Sequence, residues 1–321
     1  MILTVTPNPA LDLTWHVDRL IVGTTHRVDA GAARAGGKGL NVARVLHGQQ
    51  HDVLALATVG GGTGAEFASE LGASGIRHRL LPVAGATRRS VAIVDEANGD
   101  ASVLNEHGTG LTPAESATLV ATAAGLGRAA RAVAICGSLP PGFEPDALAE
   151  LVAELGAAGV PVIVDTSGPA LLAAARAGAY ALKPNREELA AATGHESPVD
   201  GARTLIALGA RLVVVSLGAE GLVVVSRADA ASGIGARLPR ALHGNATGAG
   251  DAAVAAIAVA LAGEPELDAP TPAGLDARTR LARRATAWSA SAVQMPLAGS
   301  LSPDHDALEN EVVVTTDEEP A

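Results

Sequence analysis

The chain has 321 residues, and 34 acidic against 23 basic residues give it a formal net charge of −11. Acidity without a basic block, and only five scattered aromatics (Trp15, Phe67, Phe143, Tyr180, Trp288), argue against nucleic acid as a partner. The single cysteine, Cys136, excludes a disulfide framework and a cysteine-ligated zinc site.

Met1–Pro7 has neither the charged start nor the apolar run of a secretory leader. The apolar run Ala252–Gly263 is shorter than the ~20 residues of a membrane span. A cytoplasmic place with no membrane partner is therefore expected. Next in the chain, Leu13–Val17 and Thr25–Ala32 read as short strands. Gly36-Gly37-Lys38-Gly39 then precedes the amphipathic stretch Leu40–His47, which places glycine amides and Lys38 near a helix start. Such a start suits an anion, and equally a tight turn with one solvated lysine. After the strand Val53–Val59, Gly60, Gly62 and Ala65 satisfy a loose dinucleotide fingerprint. No acidic residue follows about 20 positions on, so a structural turn is the better reading there. Ser90–Asp95 and Ala101–Asn105, around a turn at Asn98-Gly99, complete a small accessory antiparallel sheet suited to be a lid.

From Pro113 the pattern alternates. Helices are predicted over Pro113–Leu126, Pro145–Ala158, Pro169–Ala177, from Arg186, and over Val199–Leu208. Apolar strands are predicted at Ala132–Ile135, Val160–Val164, Tyr180–Leu182 and Leu212–Ser216. This rhythm indicates an α/β fold with a mostly parallel, doubly wound sheet. Gly244–Asp251 then opens a predicted helix over Ala252–Ala262. Asp251 either complements the helix dipole or performs chemistry, because a carboxylate beside amides that bind phosphate costs affinity unless it takes a proton. One domain is expected over residues 1–314, with lid segments near 11–36 and 86–108 and an acidic tail over 315–321.

One count cuts across these segments. Every basic residue other than histidine is arginine except Lys38 and Lys183. Lysine is a compact point charge and arginine a planar fork, so these two positions point to a site that needs the former.

Six segments in order now become meaningful together: Thr6-Pro7-Asn8-Pro9-Ala10-Leu11-Asp12, Gly36 to Ala43, Gly137-Ser138-Leu139-Pro140-Pro141-Gly142, Lys183 to Glu188, Ser216 to Gly221, and Gly248-Ala249-Gly250-Asp251. In these the chain resembles the ribokinase-like PfkB sugar kinases, and among them the branch of 1-phosphofructokinases and tagatose-6-phosphate kinases. The resemblance implies a three-layer α/β/α sandwich with a small β lid, ATP and Mg²⁺ as cofactors, and phosphorylation of a phosphorylated ketohexose, D-fructose 1-phosphate before others. It makes Asp251 the general base and Gly248, Ala249 and Gly250 the anion hole. It places Asp12, Gly37 and Asn41 on the sugar hydroxyls, and Lys38, Arg88 and Ser138 on the phosphate that the substrate already bears. It puts Asn185 and Glu188 near hydrated Mg²⁺, and Lys183, Asn185, Ser216, Gly218 and Gly221 at the nucleotide.

The residues themselves leave some of this open. Asp12 also reads as a turn-forming aspartate and Glu188 as a solvated helix residue. Arg88 and Arg89 point to opposite faces of a strand, so one of them faces the substrate, and motif position favours Arg88. Cys136 reads as a small buried side chain, His107 and His243 as solvated loop residues, and Tyr180 and Trp288 as core or boundary residues. Arg27 has no assigned role, and residues 244–246 depart from the hydrophobic lead-in of the family. With no aromatic in the nucleotide-side motifs, the adenine is expected against aliphatic side chains. The alternatives are tagatose 6-phosphate or fructose 6-phosphate as substrate and, in other classes, an NAD-type dehydrogenase or a silent sugar-phosphate sensor. A homodimer through the exposed lid edge is expected.

Overall fold

In the computed structural model, which describes residues 1–98 and 100–316, the first strand lies in the middle of the main sheet. In chain order, β1 (Ile2–Thr6) is followed by β2 (Ala10–Val17) and β3 (Ala32–Gly36), which belong to the lid. Then come α1 (Lys38–Gly48), β4 (Val53–Val59), α2 (Gly61–Ala73) and β5 (His78–Pro82), and the lid's second pair, β6 (Arg88–Asp95) and β7 (Asp100–Asn105). The alternating part comprises α3 (Pro113–Gly127), β8 (Ala132–Cys136), α4 (Pro145–Ala157), β9 (Val162–Asp165), α5 (Pro169–Arg176), β10 (Ala181–Leu182), α6 (Arg186–Thr193), α7 (Pro198–Leu208) and β11 (Leu212–Ser216). The chain ends with β12 (Leu222–Ser226), β13 (Asp229–Arg237), α8 (Ala249–Gly263), α9 (Pro272–Val293), α10 (His305–Glu311) and β14 (Val313–Thr315).

The main sheet runs β14-β13-β12-β11-β10-β9-β8-β1-β4-β5. It is parallel from β11 to β5 and antiparallel from β11 to β14. Strands in the parallel part are apolar on both faces because helices cover both. Along β8, Ala132, Ala134 and Cys136 pack into a core with α1, α8 and α9, while Val133 and Ile135 pack into a second core with α3, α4, α5 and α7. The helices start where their sequences say they should. Proline occupies the first turn of α3, α4, α5, α7 and α9, and Thr112 with Glu115 forms a capping box ahead of α3.

The lid, ordered β3-β2-β6-β7, consists of two antiparallel pairs joined by a parallel register between β2 and β6. Its second strand is displaced from the expected Thr25–Ala32. Residues 25–31 are exposed apart from half-buried His26, whereas Ala35 is fully buried and fixes the register that faces Ala10 to Gly36 and Asp12 to Arg34. Burial of Ala35, not β-propensity, decides where the strand forms. α8 likewise begins three residues earlier than expected, so Asp251 sits inside its first turn. Thr315, placed in the tail, pairs with Gly235 in β14. The turn residue Gly99 and the acidic residues from 317 onward lie outside the described residues.

Candidate active site

A cavity of about 1570 Å³ lies between the lid and the carboxyl ends of β1, β8, β9, β10 and β11, the place where open α/β sheets form sites. Every site residue named from the sequence lines it, from Asp12, Gly37, Lys38 and Asn41 through Arg88, Ser138, Lys183, Asn185, Glu188, Ser216, Gly218 and Gly221 to Gly248–Asp251. Gly60 and Gly62 do not, and α2 begins there as an ordinary βα turn.

Asp251 is 5% exposed, and its Oδ2 accepts a 2.8 Å hydrogen bond from Asn41 Nδ2. Burial, reinforced by the Asp165 charge, raises its pKa to about 6, although the Asn41 bond, Lys38 and Lys183 pull the other way. A carboxyl poised there is ionised at neutral pH yet holds a proton well, as a general base requires.

Asp12 projects from β2 over Gly36. A Cβ on Gly36 would stand 1.8 Å from Asp12 Oδ2, so only glycine leaves room for this carboxylate. Burial and the Asp251 charge raise the Asp12 pKa to about 6 against the opposing Arg88, Arg34 and Arg44. Gly36→Ala is therefore expected to push this carboxylate out of place and to raise KM for the ligand it contacts by about tenfold or more, as steady-state kinetics will show; this size is typical of losing a hydrogen bond to a charged group.

Both carboxyls have pKa values near 6 in the folded chain, above the ordinary 3.8. The stability they contribute is therefore complete below about pH 4 and lost as pH rises through 6. Activity runs the opposite way. kcat/KM is expected to climb about tenfold per pH unit up to pH 6 and level off above 7, measured in buffers of constant ionic strength.

The two lysines converge on one residue that the sequence reading missed. Asp165, at the end of β9 and 1% exposed, presents Oδ1 to Lys38 Nζ at 3.2 Å and to Lys183 Nζ at 3.7 Å. Burial works to depress the Lys38 pKa, but Asp165, with Glu188 and Asp251, overrides it and holds the ammonium above its usual value. Lys38 thus stands with the Asp165 and Asp251 carboxylates. Lys183 is buried beside Gly250, where a Cβ would come within 3.2 Å of its Nζ. A carboxylate ending an apolar parallel strand was the available signal for Asp165.

Arg88 occupies another part of the cavity. Its Nε donates to the Asn8 carbonyl at 3.3 Å and its Nη1 to the Glu106 carbonyl at 3.2 Å. Asn8 Nδ2 donates to Ser138 Oγ at 3.0 Å. Arg89 does not line the cavity, and neither does exposed Arg27.

Asn185 and Glu188 cap α6 reciprocally. Asn185 Oδ1 accepts from the Glu188 amide at 2.7 Å, and Glu188 Oε2 accepts from the Asn185 amide at 3.0 Å. Gly248 caps α8 at φ +88, and a Cβ there would stand 2.6 Å from Ala298 Cβ. The Ala249 amide is turned into the Ala246 carbonyl at 3.2 Å, which leaves it occupied in the expected anion hole. The 216–222 and 238–242 segments contribute four leucines to the lining, Leu217, Leu222, Leu238 and Leu242, together with the polar Ser216, Glu220 and Arg240. Cys136 and Trp288 are buried, Tyr180 is half buried under the Arg211 guanidinium, and His107 and His243 are exposed at the rim.

Known proteins resemble the chain over most of its length. The chain is 38% identical over 94% of its length to a 1-phosphofructokinase of Xanthomonas campestris pv. campestris, 94% of which is covered. It is 40% identical over 80% of its length to a 1-phosphofructokinase of Rhodobacter capsulatus, 82% of which is covered. Its fold matches phosphofructokinase-2 from Escherichia coli in complex with fructose-6-phosphate at a TM-score of 0.82, with 28% identity and 97% of each chain covered. Residues 8–304 match the pfkB family carbohydrate kinase model, and the chain belongs to that family.

Proposed function

We propose that the cavity transfers the γ-phosphoryl group of ATP to a ketohexose monophosphate, D-fructose 1-phosphate before others, and forms fructose 1,6-bisphosphate. The observation that carries this reading is Asp251, buried, poised near neutrality and set in the first turn of α8 beside two lysines. Asp12, Gly37 and Asn41 orient the sugar. Arg88 and Ser138, held together through Asn8, receive the phosphate that the sugar already bears. Asp251 takes the proton of the C6 hydroxyl, whose oxygen attacks the γ-phosphorus as the bond to the departing ADP oxygen breaks. Lys38, Lys183 and the Gly250 amide balance the negative charge of the transferring group.

The residues present fit Mg²⁺ carried on the nucleotide. Among the described residues Asp165 Oδ2 is buried with no hydrogen-bond partner, one Glu188 oxygen is free of the capping box, and Mg²⁺ takes most of its ligands from phosphates and water. When bound, it supplies further charge neutralisation at the phosphates. Leu217, Leu222, Leu238 and Leu242 suit the adenine.

ADP release across fructose 1-phosphate, fructose 6-phosphate, tagatose 6-phosphate and unphosphorylated sugars tests the reading. The highest kcat/KM is expected on fructose 1-phosphate. Activity confined to unphosphorylated sugars rejects it, and preference for a 6-phosphate transfers the assignment to that sugar.

A second copy of the chain is the proposed partner, through the lid. Val103 and Leu104 on β7 and Ile21, Val22 and Val28 in the β2–β3 connection are all exposed. Leu104→Glu is expected to halve the mass seen by sedimentation to the 31.8 kDa of one chain; a wild-type mass already at one chain rejects the dimer. Among the described residues no helix is long and apolar enough to cross a membrane, and a cytoplasmic place belongs to the same proposal, supported by the free, buried Cys136.

A further inference from the structure

Arg34 lies on the lid strand β3, across the register from Asp12. Its Nη1 donates a 2.7 Å hydrogen bond to the carbonyl of Ala298, 264 residues further along the chain and in the segment between α9 and α10. That segment is packed against the catalytic turn. A Cβ on Gly248 would stand 2.6 Å from Ala298 Cβ and 2.9 Å from its Cα, so no side chain separates Ala298 from the start of α8. A Cβ on Gly299 would stand 3.0 Å from Arg44 Cβ and 3.3 Å from Asn41 Cα. The Ala298–Gly299 step is thus held between Gly248 on one side and α1 on the other, and α1 carries the Asn41 that binds Asp251.

The lid end of this connection is also anchored. Glu70 of α2 accepts from the Ala35 amide at 2.8 Å and from Arg44 Nη2 at 2.6 Å, so the residue next to Arg34 is tied to the helix that bears Asn41. Glycine at 248 and 299 leaves the contact with no slack. A shift of β3 must drag Ala298 or break a charge-assisted hydrogen bond.

We propose that Arg34 is a positioning residue that couples the seating of the lid to the geometry of the phosphoryl-binding turn. With Arg34 bonded to Ala298, the strand pair that presents Asp12 to the sugar and the Gly248 turn that meets the phosphoryl group form one arrangement. Full-rate transfer then requires a seated lid, which also keeps water away from the transferring group. The proposal rests on the reading of Gly248–Gly250 as the turn that receives the transferring group.

Arg34→Met tests it, with Arg34→Lys as the conservative variant. In Arg34→Met, kcat is expected to fall about 10- to 100-fold, the loss typical of small misplacement of a reacting group, with KM for the sugar phosphate within about threefold of wild type. The ratio of ADP released to bisphosphate formed is expected to rise above one, which loss of folded protein alone does not produce. Arg34→Lys keeps a donor within reach of the carbonyl and is expected to restore most of kcat and a ratio of one. Unchanged kcat in Arg34→Met, a loss confined to KM, or a lysine variant as impaired as the methionine one overturns the proposal. If Arg34→Met does not fold, the ratio in Arg34→Lys decides, a value well above one counting against the coupling. Gly248→Ala separates the two readings: wild-type kcat there removes the turn's role, whereas a loss there with intact Arg34→Met removes only the coupling.

Discussion

Asp251→Asn is expected to lower kcat about a thousandfold while leaving the dissociation constants of ATP and sugar phosphate within a few-fold of wild type. The amide keeps an oxygen that accepts the Asn41 bond, so the fold of the turn survives. What it loses is the capacity to take the hydroxyl proton. Stability moves the other way. A carboxyl whose pKa is raised by burial destabilises the folded chain once it is ionised, and the neutral amide removes this cost, so Tm at pH 8 is expected to rise. A variant that is both slower and more stable separates a catalytic loss from damage to the structure. Wild-type kcat in Asp251→Asn contradicts the role given to this residue.

Asp165→Asn is the second substitution of large effect. The carboxylate is fully enclosed and neutralises Lys183, which is 4% exposed, and Lys38, which is 40% exposed. Lys38 recovers water when its partner is lost, whereas the Lys183 ammonium stays largely buried. Breaking such a buried pair on one side costs on the order of 3 kcal/mol, visible as a Tm lower by several degrees. Saturating ATP is expected to narrow this gap, because phosphates return negative charge to the two ammonium groups. The pH profile supplies an independent sign. Asp165 raises the Asp251 pKa, so removing its charge lowers that pKa, and the acid limb of kcat/KM is expected to move to lower pH. Thermal unfolding with and without ATP and a pH series check both effects; an unchanged Tm together with an unmoved acid limb contradicts the arrangement.

The parallel half of the sheet was legible because strands covered on both faces read as unbroken apolar runs. Leu212–Ser216 and Ala132–Ile135 coincide with β11 and β8 to within a residue. The lid was legible in kind but not in register, since Thr25–Ala32 resembles a strand as well as Ala32–Gly36 does until the burial of Ala35 is known. In the site, motifs with short internal spacing carried their own signal. Asp165 had no such spacing. It meets Lys38 across 127 residues only because β9 ends beside the start of α1, a consequence of strand order that no local pattern records. Asn185 and Glu188 show the converse limit. The Asn-x-x-Glu spacing that suits a hydrated metal is also that of a capping box, and the structure shows the box in place.

The most direct measurement is ³¹P NMR of the product formed from ATP and fructose 1-phosphate by the wild-type chain and by Asp251→Asn. The wild type is expected to give a sugar carrying two phosphomonoester resonances, with one ADP formed per molecule, and Asp251→Asn to give neither at a comparable rate. ADP without a second sugar phosphate in the wild type, or the same bisphosphate at the same rate from the variant, contradicts a transfer driven by proton abstraction at Asp251.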